Sequence, residues 1–342
     1  MYRSLLPALL LASPAFAEVP KVVTDIAPVQ GLVASVMGDL GTPDLLIPAS
    51  ASPHSHALKP SEARALQQAD LVFWIGEELS PDLARKIDSI AQAGSAVSLF
   101  DLPGTRHLAA RNDVLFAEPG AQGDHDHGGH DEEAHDHDAH DDHGHGEHSH
   151  DDHAHEDHHD HGHEAGGHHH EGDDPHAWLS VDNAATWLTA IAESLAAQDP
   201  ENAQTYAANA EAAQARIAEA RAAAEATLAP VKDNHFVVFH DAFQYYEDSF
   251  GLTVLGAISL SDATTPSPAR LDALRDALSG AAAACVFAEP QFDPRLIAAV
   301  TEGAGTPVAE IDPLGATLEA GPGFYPALIE DMAQRIADCA AQ

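Results

Sequence analysis

Residues 121–173 set the first constraint on the fold, because no core can be built from them. The stretch is almost wholly His, Asp, Glu, Gly and Ala, in His-Asp-His and His-Gly-His repeats. With hardly any apolar group to bury, it cannot offset its ordering entropy and is expected to remain a disordered loop. Nineteen of the chain's 25 histidines lie between His125 and His170, and 19 Asp or Glu fall between Asp124 and Asp174. A solvated acidic loop explains the acids but not the imidazoles. Near pH 7 most imidazoles are neutral and free to ligate borderline metals such as Zn²⁺. Weak, interchangeable metal sites are therefore expected at His125, His127, His135, His137, His143, His145, His148, His150, His153, His155, His158, His159, His161, His163, His168, His169 and His170.

The formal charge of the 342 residues is −40, and the chain outside the tract carries about −21 of it. No Lys or Arg stands between Arg111 and Arg216. Nucleic acid is excluded as a partner, since phosphate neutralisation needs a basic surface. Docking on anionic lipid is excluded for the same reason. Residues 1–17 read as a secretory signal: Arg3, an apolar run from Leu5 to Ala12, and Ala15-Phe16-Ala17 as a small-x-small cleavage site. That run is far below the roughly 20 residues needed to span a bilayer. The mature protein is expected to start near Glu18 and to be exported, to the periplasm or to the outside medium, with no membrane insertion. In an oxidising compartment the two cysteines, Cys285 and Cys339, are most simply a disulfide, with two thiolate metal ligands as the alternative.

Outside leader and tract, about 270 residues remain, enough for two ordinary domains. Residues 18–198 alternate strand signals (21–26, 44–48, 71–76, 96–100) with helical ones (31–37, 60–69, 181–198), the pattern of a parallel α/β sheet. Asp199-Pro200 then opens a run without Gly or Pro to Leu228, dominated by strong helix formers. This predicts a rigid spine helix over 199–229. Its lack of a heptad of large residues argues for a monomer rather than a coiled-coil dimer. Residues 230–342 repeat the alternation, with strands at 235–240, 253–258, 284–288 and 307–311 and helices at 267–279, 294–302 and 325–339. The expected fold is thus two (βα)4-like lobes with parallel sheets, joined by one long helix.

In open α/β sheets, ligands bind beyond the carboxyl ends of strands. His54 follows the second strand, His176 stands where the tract meets the next helix, and His240 ends the strand Phe236–His240. Asp312 and Glu289 end two further strands. Three imidazoles plus a carboxylate or water make a tetrahedral zinc set. His54 is preferred over its neighbour His56, and Asp312 is expected as the fourth ligand or as a partner fixing an imidazole tautomer. Asp241 and Glu289 are read as supporting or salt-bridge residues. His235, at the far end of its strand, reads as structural, and His107 as a surface residue without a partner.

At these residues the chain resembles the solute-binding proteins of zinc-uptake ABC transporters, the ZnuA type of cluster A-I (cluster 9). The motifs are Ser52-Pro53-His54 with Leu58-Lys59-Pro60-Ser61, then Asp174-Pro175-His176-Ala177-Trp178-Leu179 and Phe239-His240-Asp241-Ala242-Phe243. Phe287-Ala288-Glu289-Pro290-Gln291-Phe292 and Ile311-Asp312-Pro313-Leu314-Gly315 complete the set. The resemblance covers essentially the whole mature chain. It implies that His54, His176 and His240 bind zinc, that Cys285 and Cys339 form a disulfide, and that the chain delivers zinc to an inner-membrane permease driven by a cytoplasmic ATPase. No phosphate-binding GxxxxGK[ST] occurs in the chain itself. Some relatives carry Glu immediately before the first histidine; here that position is Pro53, which leaves the fourth ligand between Asp312 and water. His56 stands where relatives often carry an aromatic. Manganese-binding members place Glu where His240 stands, and the third imidazole favours zinc. The tract is expected to feed the cleft, to sense zinc or to dock a periplasmic zinc chaperone. Rival readings are a manganese-binding member of the family, a zinc buffer or adhesin, and a zinc hydrolase. The last has only Glu289 as an evident base at the strand ends, so a non-enzyme is expected.

Overall fold

The computed structural model describes residues 19–92, 95–113, 115–116, 172–259, 267–280, 283–303 and 305–342. The expected leader and all but the last two residues of the His-rich tract lie outside the described residues.

Eight strands form two parallel four-stranded sheets of the same order. In the first, β1 (Val22–Thr24) lies between β2 (Asp44–Leu45) and β3 (Leu71–Trp74), with β4 (Ala96–Ser98) beyond β3. In the second, β5 (His235–His240) lies between β6 (Thr253–Ser259) and β7 (Ala283–Ala288), with β8 (Val308–Glu310) outside β7. Parallel neighbours need crossovers, and helices supply them. These are α1 (Ala27–Met37), α2 (Pro60–Gln68) and α3 (Pro81–Ile90) in the first lobe. In the second they are α6 (Gln244–Phe250), α7 (Pro268–Gly280) and α8 (Pro294–Thr301). Helix α4 (Val181–Gln198) starts under a Ser180 cap that accepts from Asn183 N at 3.2 Å. The strands of the first lobe are shorter than the sequence alone suggests, and α3 and α6 are additional to the expected set.

Between the sheets runs α5 (Ala203–Leu228), the expected spine, and the chain closes with α9 (Phe324–Ala340). The buried face of α5 is Tyr206, Ala210, Ala213, Ile217, Ala220, Ala224 and Leu228, three or four residues apart throughout. Four of the seven are alanines, so α1, α4 and α9 approach it closely. Gly31 serves the same end: a Cβ there would stand 2.8 Å from Phe324 Cβ, so α1 and α9 pack only because it is absent. One buried cluster runs through both lobes by way of these helices, whereas a second lies beneath α7 and α8 on the outer face of the second sheet. Strand β5 divides between them, Phe236 and Val238 inward, Val237 and Phe239 outward, the period-two alternation of a strand covered on both faces. Cys285 of β7 and Cys339 of α9 form a disulfide with Cα atoms 6.0 Å apart, stapling strand to helix as expected.

The segment flanking the tract crosses from one sheet to the other. Leu108 N donates to Tyr245 Oη at 3.0 Å, Phe116 N to Leu255 O at 2.7 Å, and Leu115 pairs antiparallel with Gly256 on the open edge of β6. The returning chain is held where Ala110 N donates to Gly172 O and Asp174 N to Leu108 O. Among the described residues, the chain entering the tract is last held on the second sheet, and the returning chain is first held at Gly172, close before His176. Among the described residues no helix is long and apolar enough to cross a membrane.

Candidate metal centre

Three chain segments far apart in sequence meet at the carboxyl ends of the strands. His54 sits on the turn after β2, held where its N–H donates to Ser52 Oγ at 3.2 Å and where Ser80 Oγ–H donates to Pro53 O at 2.8 Å. His176 precedes a short turn, Ala177–Leu179, that leads into α4. His240 is the last residue of β5, the central strand of its sheet.

Each buried imidazole has a carboxylate behind it. Asp174 Oδ1 accepts from both the backbone N–H of His176 at 3.0 Å and its Nδ1 at 2.7 Å. Glu289, just past β7, places Oε1 2.7 Å from His240 Nδ1 and 3.3 Å from His240 N. An ionised carboxylate only accepts, so both Nδ1 atoms carry the proton and both Nε2 atoms present lone pairs. These atoms face one another. Nε2 of His54 is 3.2 Å and Nε2 of His240 is 3.3 Å from Nε2 of His176. One ligand atom from each of the three residues lies within 4.8 Å of the others. For a tetrahedral ion with metal–nitrogen bonds near 2.0–2.1 Å, ligand atoms stand about 3.3 Å apart. The two separations from His176 match that figure. His176 and His240 are buried, His54 half-buried. The enclosed space, about 20 Å³, takes one ion and a small ligand, not an organic substrate.

The model of one family, ZnuA, "zinc-uptake complex component A periplasmic", matches residues 22–339. The chain belongs to this family. A relative from Paracoccus denitrificans, described as high-affinity zinc uptake system protein ZnuA, is 49% identical over 96% of this chain and 94% of its own length. Among solved structures, a crystal structure of ZnuA aligns with a TM-score of 0.69, at 21% identity, over 94% of this chain and 99% of the other. A Mn-bound periplasmic metal-binding protein from Candidatus Liberibacter asiaticus aligns at 0.66, with 17% identity and coverage of 94% and 99%. At these identities the two structures speak to the fold, and both share it.

In this ZnuA-family chain several expected residues fall outside the converging trio. Asp312 does not join it. Its Oδ1 accepts from Leu314 N and Gln291 Nε2, each at 3.0 Å, and its Oδ2 from Ala316 N at 2.6 Å, so both oxygens serve the turn after β8. His56 points to α2 instead, with Nε2 3.0 Å from Glu62 Oε2, while Glu62 also accepts from Lys59 N at 2.7 Å. Burial works to raise the Glu62 carboxyl, but the Lys59 N–H and His56 hold it below its ordinary range. Asp241 and Glu247 share Arg111, whose guanidinium lies 3.8 Å over the Phe116 ring. Burial raises both carboxyls in spite of that cation. His235 begins β5, away from the trio. His107, expected to lack a partner, has two: Asp173 Oδ2 and Phe100 O, each 3.0 Å from its ring nitrogens. It also packs on the Phe100 ring, 4.2 Å between centroids, so it fastens the returning end of the tract. The tract histidines lie outside the described residues.

Asp174, Trp178 and Gln291 were not singled out as site residues from the sequence. Asp174 carried a readable signal, an Asp two residues before a His with Pro between them, the spacing of an Asx turn. Trp178 packs 5.3 Å from the His176 ring and donates Nε1–H to Pro313 O at 3.0 Å, tying the His176 segment to the second lobe.

Proposed function

We propose that this chain is exported to the periplasm, takes up Zn²⁺ as its cargo between the two lobes on His54, His176 and His240, and hands it to an inner-membrane ABC permease driven by a cytoplasmic ATPase. The observation that carries the reading is the meeting of three imidazole Nε2 atoms at the spacing of a tetrahedral ion. The facing lone pairs of His176 and His240, 3.3 Å apart, repel unless a cation sits between them. Imidazoles suit zinc; manganese favours more oxygen ligands, which the trio does not supply. The description of the Paracoccus denitrificans relative as a zinc uptake protein agrees with this cargo. The reading contains no catalytic step, and Glu289, the one base a hydrolase would have, is committed to His240. The tract histidines would add weaker zinc sites and raise the local ion concentration at the cleft.

Competition against a graded series of chelators tests the reading. The full chain is expected to hold one zinc far more tightly than the rest, and His240→Ala to lose that one while keeping the weak set. Retention of an equally tight zinc by His240→Ala overturns it.

A further inference from the structure

Three imidazoles leave one corner of a tetrahedron, and the residue placed to serve it is Gln291. It lies in the turn after β7 and lines the same small cavity as the three histidines. Its Nε2 donates to Ala49 O at 2.9 Å and to Asp312 Oδ1 at 3.0 Å. Two acceptors on one side fix the orientation of the amide, so Oε1 is turned the other way. That oxygen is buried and has no hydrogen-bond partner among the described residues. Folded proteins seldom leave such an acceptor unsatisfied without a reason. Asp312, the other claimant for the fourth corner, has both oxygens engaged by N–H donors.

We propose that Gln291 Oε1 accepts a hydrogen bond from a single water that completes the coordination of the bound zinc. This rests on the zinc reading above. A neutral acceptor suits the charge balance: the two carboxylates behind the imidazoles, Asp174 and Glu289, already match the divalent cation. Gln291 is a positioning residue with a second consequence. Ala49 belongs to the first lobe, on the loop that leads to His54, and Asp312 to the second. One amide therefore joins the water on the ion to both lobes, and loading strengthens the contact across the cleft.

The test uses the full chain with half an equivalent of Co²⁺, which fills the tightest site first. In oxygen-17-labelled water the Co²⁺ resonance of the parent is expected to broaden, and Gln291→Met to change that spectrum and weaken zinc 10–100-fold in chelator competition, the usual loss for an outer partner. An unbroadened parent resonance overturns the proposal. So does a folded Gln291→Met with the parent's spectrum and zinc affinity. If Gln291→Met does not fold, the parent's resonance alone decides. Either failure with the tight site still dependent on His240 removes only the role of Gln291. Loss of that dependence removes the zinc reading itself.

Discussion

The two lobes share a strand order and use the same place in it differently. In the first, central strand β1 is followed by Asp25, which is fully buried and accepts from Ile26 N at 2.7 Å and Ile75 N at 2.8 Å. In the second, central strand β5 ends in His240, and the acid after its neighbour β7, Glu289, holds the ring. Both lobes thus put a carboxylate beside the end of the central strand. In the first that carboxylate ties two strand ends together; in the second it orients one imidazole of the trio. The first lobe brings its imidazole from a loop, and His54 is less buried than His176 or His240. The site is lopsided: two backed, enclosed imidazoles and one on a loop.

That asymmetry is most directly broken by removing ligands. His176→Ala and His240→Ala are each expected to weaken the tight zinc by more than about 100-fold, beyond the range seen for outer partners. His54→Ala should leave a two-imidazole site that still holds zinc, though poorly. Equal residual affinity in all three variants would show that the loop ligand is as preorganised as the others. Next come the backing acids. Glu289→Ala and Asp174→Ala should cost about 10–100-fold by freeing the ring tautomer, whereas Asp25→Asn should leave zinc affinity unchanged. A drop for Asp25→Asn would mean that the first lobe's carboxylate also serves the site.

Asp25 has its own signature. Burial pushes its carboxyl from 3.8 up to about 7, against the pull of the Ile75 and Ile26 N–H groups. The folded protein therefore binds a proton that the unfolded chain has released between those two values. Stability from this group is present below about pH 4 and falls as the pH rises through about 7, by roughly 1.4 kcal/mol per unit at most. Urea unfolding of the metal-free protein between pH 5 and 8 should show this slope in the parent and lose it in Asp25→Asn. An undiminished slope in the variant would place the proton elsewhere. Only the second lobe has a staple, and Cys285→Ser with Cys339→Ser is expected to cost about 3–4 kcal/mol on the chain-entropy account, read by the same unfolding curves.

Much of the fold was legible from the sequence, for reasons that differ along the chain. His235–His240 and Val181–Gln198 were read to the residue, because a run of bulky apolar residues and a serine cap mark their ends. Helix α3 carried Pro81 in its first turn and an apolar stripe of Leu83, Ala84 and Ile87, yet it is short and charged between. Helix α6 is seven residues, two of them tyrosines, and is shaped by burial of Tyr245 and Tyr246 rather than by propensity. The histidine trio was legible because each member stands at the end of an element. What surrounds them was not: Gln291 meets Ala49 across 242 residues, and only the structure shows both Asp312 oxygens accepting from the turn after β8. Sequence position finds donors; only the fold shows which are already spoken for.

The smallest expected effect concerns the neighbour of the loop ligand. His56 and His54 are two residues apart, and sequence alone leaves either as a ligand. The geometry separates them, since the His56 ring is turned to Glu62 at the start of α2, where Lys59 N donates to the same oxygen. Replacing His56 by Phe removes one hydrogen bond, worth about 0.5–1.5 kcal/mol of stability. Zinc affinity should stay within about threefold of the parent's, a change of less than 1 kcal/mol on the usual conversion. Chelator competition and urea unfolding on the same sample read both quantities. A zinc loss matching that of His54→Ala would exchange the two residues' roles, and would mean that the first lobe's loop reaches the ion by its other histidine.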